Sequence, residues 1–169
     1  MEDIVLNHYQ KNNMILLQKL SLTKQQSIDD ILLCNEKTKA YGLTLTRKQI
    51  LSLVENQQNV LKQTKRIEFN GNVVQLLINA LYDSPFVIQD NYEEILHSFM
   101  ELFYELKNET WDLIGDQELI DFMKKSFQET CQGSLDILND ELSRLIQHIH
   151  HGGKIDDYHS PMEKHDGLY

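Results

Sequence analysis

The stretch DNYEEILHSFMELFYELKNETWDLIGDQELID, residues 90–121, decides the fold class. On a wheel at about 100° per residue, Asn91 to Ile114 places Tyr92, Ile95, Leu96, Phe99, Leu102, Phe103, Leu106 and Leu113 on one broad face. Glu94, Glu101, Glu105, Glu109 and Asp112 gather within about 80° on the opposite side, as in a helix with one wet edge. Met100, Tyr104 and Trp111 form a third stripe, which widens the apolar surface beyond what one neighbouring helix covers. This helix is therefore expected at the centre of the molecule, with neighbours on two sides. Asp90 and Glu93 have the spacing of a capping box, and Gly115 suits a left-handed stop.

Towards the N-terminus the signals are helical with marked ends. Residues 1–22 are ambiguous, because Ile4-Val5-Leu6 and Met14 to Leu17 fit strand or helix, the second run leaning to helix. Lys24 to Tyr41 carries Ile28, Ile31, Leu32 and Cys34, has Lys37 and Lys39 where cations suit the helix dipole, and closes at Gly42. Thr46 with Gln49 predicts a capped helix through Ile50, Leu53, Val54 and Leu61. Arg66 to Asn72 reads as a connector turning at Asn70-Gly71, and Val73 to Tyr82, apolar nearly all round, as a buried helix ended by Asp83-Ser84-Pro85.

Beyond the central stretch, Asp116 is placed to cap a helix through Leu119, Ile120, Met123 and Phe127, stopping at Gly133. Ser134 then caps a last helix through Leu135, Leu138, Leu142, Leu145, Ile146 and Ile149, a seam suited to shallow packing in a bundle, ended by Gly152-Gly153. The expectation is an all-α, single-domain bundle of about six helices: an N-terminal segment 1–22 of unassigned structure, a helical domain over 23–151, and a mobile tail over 152–169.

Composition narrows the function classes. The 169 residues include only two Pro and seven Gly, and 41% are hydrophobic, which favours a compact helical domain with no need of a cofactor for stability. Residues 90–121 hold ten acids against the single Lys107, so they carry −9 of the net −10. Such a field repels phosphate backbones and anionic membranes, arguing against nucleic-acid or membrane binding. No apolar run approaches the roughly 18 to 20 residues that span a bilayer, and the N-terminus lacks the pattern of a secretion signal. Cys34 and Cys131, with no ligand-like spacing, agree with a reducing, cytoplasmic setting.

Candidate chemistry is sparse. Glu94-x-x-His97 resembles half of a bundle di-metal site, but no second Glu-x-x-His exists, and the wheel points both side chains outward. Glu93, Glu94 and Glu101 within one turn would favour a charged His97. Five histidines, His148, His150, His151, His159 and His165, fall in the last 22 positions, and His148, His151 and His159 are the candidate metal ligands of that group. No nucleophile elbow and no phosphate-cradling glycine loop is present. Arg47-Lys48, Lys62/Lys65/Arg66 and Lys124-Lys125 read as scattered solvated charges.

Several punctuating pieces, Tyr41-Gly42-Leu43-Thr44-Leu45, Asp83-Ser84-Pro85, Lys107-Asn108-Glu109-Thr110 and Cys131-Gln132-Gly133-Ser134, are similar to those of a family of bacterial helical domains of unknown function, found mostly in Gram-positive species. The resemblance spans roughly Leu33 to Leu145. It implies a helical fold and a bacterial, cytoplasmic setting, and assigns no activity to any residue. The expected function is a non-enzymatic protein-interaction module offering Glu94, Glu101, Glu105, Glu109 and Asp112 to a basic protein surface. A metal-dependent role for His97 or the C-terminal histidines is the alternative, and a homo-oligomer fits the wide apolar surface of the central helix. The bland reading of the acids is that they keep a helical protein in solution.

Overall fold

A computed structural model describes residues 2–68 and 72–162, with side chains from 10–18 and from 23 onward. The chain is an all-helical bundle of α1 (Glu2–Thr38), α2 (Arg47–Gln63), α3 (Val73–Leu81), α4 (Tyr92–Glu109), α5 (Asp116–Lys125) and α6 (Leu135–His150), with no strand among the described residues. The ambiguous N-terminal segment is the first half of α1. The turn expected at Asn70-Gly71 lies outside the described residues.

Helix starts follow side-chain chemistry read directly from the sequence. Thr46 Oγ1 accepts from the Gln49 amide at 3.2 Å while the Thr46 amide donates to Gln49 Oε1 at 2.9 Å, which satisfies two orphan groups of α2 at once. Asn72 and Ser134 accept in the same way from Gln75 and Ile137, opening α3 and α6. A tight turn over Lys39–Tyr41 follows α1, and Gly42, at φ +77°, closes it.

α4 is the central element, packing against α2, α3, α5 and α6. Tyr92, Leu96, Phe99, Phe103, Tyr104 and Leu106 are all buried, joined by Met100 from the third stripe. Edge-to-face ring contacts link Phe99 to Phe127 after α5 and Phe103 to Tyr104.

Both ends of α4 differ from expectation. The Asp90/Glu93 capping box does not form: Asn91 precedes the helix, and its amide accepts from the Ile88 N–H at 2.8 Å and donates to the Phe86 carbonyl at 3.0 Å. One side chain that ties the incoming loop from both ends replaces a cap that would have tied only the helix. At the other end the helix stops at Glu109, five residues before Ile114, and the left-handed residues are Trp111 (φ +52°) and Asp112 (φ +56°). Gly115, at φ −64°, instead precedes α5, so Asp116 is inside that helix and not its cap. Leu113, expected in the core, is therefore 72% exposed and Trp111 65% exposed, whereas Met100 and Tyr104 of its stripe are buried.

The chain leaves α5 through a wide turn over Ser126–Thr130, in which the Cys131 amide reaches back five residues to the Ser126 carbonyl at 2.8 Å. Gly133 (φ +81°) sends it into α6. The segment after α6, expected to be mobile, makes contacts with the bundle at Tyr158 and Ser160. Tyr158 makes edge contacts with Phe122 and His148, and Ser160 is buried. Residues 163–169 of that expected tail, including His165, lie outside the described residues. The apolar surface of α4 that suggested a homo-oligomer is covered by its own neighbours; exposed apolar side chains occur instead on α1, where Met14 to Leu17 all face solvent.

A Cβ at Gly133 would come within 2.5 Å of the Phe86 ring, whereas one at Gly42 would meet nothing within 4 Å. Gly42→Ala should cost about 1–2 kcal/mol for its left-handed backbone alone. Gly133→Ala should cost clearly more in urea unfolding, and equal midpoints for the two variants would contradict the Phe86 contact.

Candidate functional site

The five acidic residues expected on one face of the central helix separate into three kinds. Glu94, Glu105 and Glu109 are exposed, and their carboxylates have no partner among the described residues. Glu101 accepts from Asn56 Nδ2 at 2.9 Å, a neutral partner that leaves its charge in place. Asp112 is consumed internally: Arg66 grips it with two bonds of 2.6 and 3.0 Å, and Lys107 Nζ lies 3.6 Å away.

That grip is part of a clasp that stops α4. Lys107 is buried, donates to the Ile114 carbonyl at 2.7 Å and pairs with Asp116 at 2.8 Å. Asn108 accepts from Arg66 at 2.9 Å and donates to the Thr64 carbonyl at 3.3 Å, fastening the end of α4 to the end of α2. Thr110 Oγ1 donates to the Leu106 carbonyl at 2.6 Å. Trp111 and Asp112, two consecutive non-glycine residues in the left-handed region, are held there by this network, an arrangement that stores strain. The Trp111 ring stacks on His150, with centroids 4.9 Å apart, and His150 Nε2 donates to the Glu109 carbonyl at 2.6 Å. An exposed indole is thus fixed at the end of the acidic strip.

His97 is half-buried between α2 and α4, not freely outward as the wheel placed it. Asn56 Nδ2 donates to His97 Nδ1 at 2.9 Å as well as to Glu101. A carboxylate only accepts, so the Glu101 contact fixes the amide orientation and makes His97 Nδ1 an acceptor. The ring proton then sits on Nε2, 3.3 Å from Ser52 Oγ and 3.7 Å from Glu93. An imidazole that donates to Ser52 does not act as its base, so this trio lacks the polarity of a nucleophile–base pair. Glu94 takes no part in it.

The C-terminal histidines among the described residues are not gathered into a metal-holding group. His148 Nε2 donates to the Lys154 carbonyl at 3.0 Å and His151 Nδ1 to the Gln147 carbonyl at 2.6 Å, while His159 lies beyond the turn Ile155–Asp157. Among the described residues no three His, Cys, Asp or Glu side chains are grouped to hold a metal ion. Burial, with the charge of Glu141 adding, pushes the Cys131 thiol up to about 11, and burial also raises Cys34, so neither is poised as a thiolate.

Two concavities were not foreseen. A cleft of about 310 Å³ lies between α5, the Ser126–Thr130 turn, α6 and the segment 155–160, with the buried Glu141 at its floor. Tyr158 Oη donates to Glu141 Oε1 at 3.0 Å and Arg144 Nη1 to Oε2 at 3.1 Å. The sequence did carry a signal for this site, because Glu141 interrupts the apolar stripe of Leu138, Leu142, Leu145 and Ile149. A larger, open cleft of about 880 Å³ between α1 and α2 mixes Lys24, Arg66, Asp30 and Glu68. Burial raises the Glu68 carboxyl there; behind the cleft it also raises the phenol of the core residue Tyr104, whose oxygen accepts from Gln57 at 3.0 Å.

Comparison with known proteins places the chain in a family. It belongs to the family of unknown function DUF6323, whose model matches residues 30–155. No curated protein and no solved structure matches it. No helix among the described residues is long and apolar enough to cross a membrane.

The clasp makes a pH prediction. Hydrogen bonds from Arg66, with Lys107 adding, hold the Asp112 carboxyl below the usual carboxylate range. A lowered native value contributes stability that is present above the unfolded value of about 3.9 and lost as pH falls through the native one. Asp112→Asn should therefore be less stable than the wild type at neutral pH, with the gap closing in acid. A gap that is constant between neutral pH and about pH 3 would contradict this linkage.

Proposed function

We propose, starting from membership of a family without assigned activity, that this chain is a protein-docking module. Its site is the exposed edge of α4, with Trp111 and Leu113 as apolar anchors and Glu94, Glu101, Glu105 and Glu109 as an acidic flank. The observation that carries this reading is the turn at the end of α4. Two non-glycine residues sit in a costly backbone conformation, held by a buried lysine and a bidentate arginine, and the result is an indole exposed to solvent. Solubility explains surface carboxylates but not an outward Trp on a strained turn. Buried in an interface, a tryptophan is among the residues that contribute most to binding.

Charge selects the occupant. Three of the flanking carboxylates have no partner among the described residues and the fourth has only a neutral one, so a basic segment of another protein supplies counter-charges and raises the association rate. A second copy of this chain, itself at −10, would bring like charge to the same face.

Reversal of Glu101, Glu105 and Glu109 to Lys should abolish capture of the partner from native lysate. Trp111→Ala should weaken binding of the purified partner at least tenfold, about 1.4 kcal/mol or more. All four positions are exposed, so the variants should fold as the wild type does. Capture unchanged in both variants would overturn the assignment.

A further inference from the structure

The Glu141 cleft has features that a purely structural role leaves unexplained. Its floor is a carboxylate with 1% of its surface exposed, at a position where the neighbouring turns of α6 carry Leu. Burying a charge is costly, and an apolar residue of similar volume usually serves stability as well or better. Two bonds, from Tyr158 and Arg144, occupy half of the roughly four acceptor directions of a carboxylate. Arg144 reaches Glu141 from outside the cleft and is partly exposed, so water screens its compensation.

The rest of the lining is organised around that floor. Glu118 and Asp156 stand at the exposed rim, so that beside the Glu141–Arg144 pair the lining carries two further carboxylates against the single Lys125. Phe122 and Tyr158, in edge contact with centroids 5.7 Å apart, form an aromatic wall. The wide turn Ser126–Thr130 departs from regular helix geometry, and its Ser126 and Thr130 also line the cleft. Such single wide turns are frequent at functional sites. The volume of about 310 Å³ is at the small end of the range for ligand pockets.

We propose that this cleft binds a small organic cation, a primary ammonium carried on a short aromatic or alkyl body. The ammonium is drawn towards the Glu141 floor between Glu118 and Asp156. The apolar body packs on Phe122 and Tyr158, whose rings attract a nearby cation. Anions meet the carboxylates of the rim and floor.

Calorimetric titration of the full chain with phenethylammonium tests this, with 2-phenylethanol as the neutral match of the same shape. Saturable one-site binding of the ammonium is expected, with at least tenfold weaker binding of the alcohol and of the ammonium to Glu141→Gln. Should Glu141→Gln fail to fold, Glu118→Gln combined with Asp156→Asn, both at exposed positions, must still weaken binding severalfold. No saturable binding to the folded wild type, equal binding of the alcohol, or affinity unchanged in the rim variant would each overturn the proposal.

Discussion

The structure depends on α4 having more apolar surface than a single neighbour can cover. Two stripes, one built on Phe99 and Phe103 and the other on Met100 and Tyr104, call for helices on several sides, and α2, α3, α5 and α6 provide them. α3 in turn packs on α1 and α5 as well as on α4. Side-chain caps at Thr46, Asn72 and Ser134 fix where α2, α3 and α6 begin, and Gly42 closes the turn after α1.

The same constraint explains why α4 stops where it does. Continued to Ile114 it would have carried Leu113 into the core and kept Trp111 beside Met100 and Tyr104. Lys107 and Arg66 prevent this by binding the carbonyl and carboxylates of the next five to nine residues, which turns the chain outward at Thr110. Packing and site are therefore coupled through one clasp. The residues that end the central helix also set the direction of its most exposed aromatic side chain.

Much of this was legible in the sequence where one rule dominates locally. The Thr46 capping box, the Ser134 cap, Gly42 and Gly133 are short-range features in which a side chain or a missing Cβ meets its own backbone a few residues away. The errors arose where a distant partner overruled local pattern. Gly115 looked like the stop because glycine is the usual left-handed residue, but Arg66, far away in sequence, stabilises that conformation at Trp111 and Asp112 instead. Asp90 lost its cap to Asn91, whose amide both donates and accepts. For the candidate sites, a wheel shows which residues share a face but not which carboxylates already have a partner. It could not separate Asp112 from Glu105, nor show that Asn56 engages His97 and Glu101 together. Glu141 was legible as a charged residue in an apolar stripe, but a lone carboxylate there gives no sign of Tyr158 and Arg144, the partners that hold it.

Trp111 is the single tryptophan in the chain, which makes the central claim directly measurable. Acrylamide quenching of its fluorescence in the folded, isolated protein reports whether the indole faces solvent. An α4 that ends at Glu109 under the Lys107 and Arg66 clasp predicts long-wavelength emission and quenching close to that of an exposed indole. Short-wavelength emission with strong protection would put Trp111 back on the apolar stripe of a longer helix, and would contradict both the clasp and the docking surface built on it.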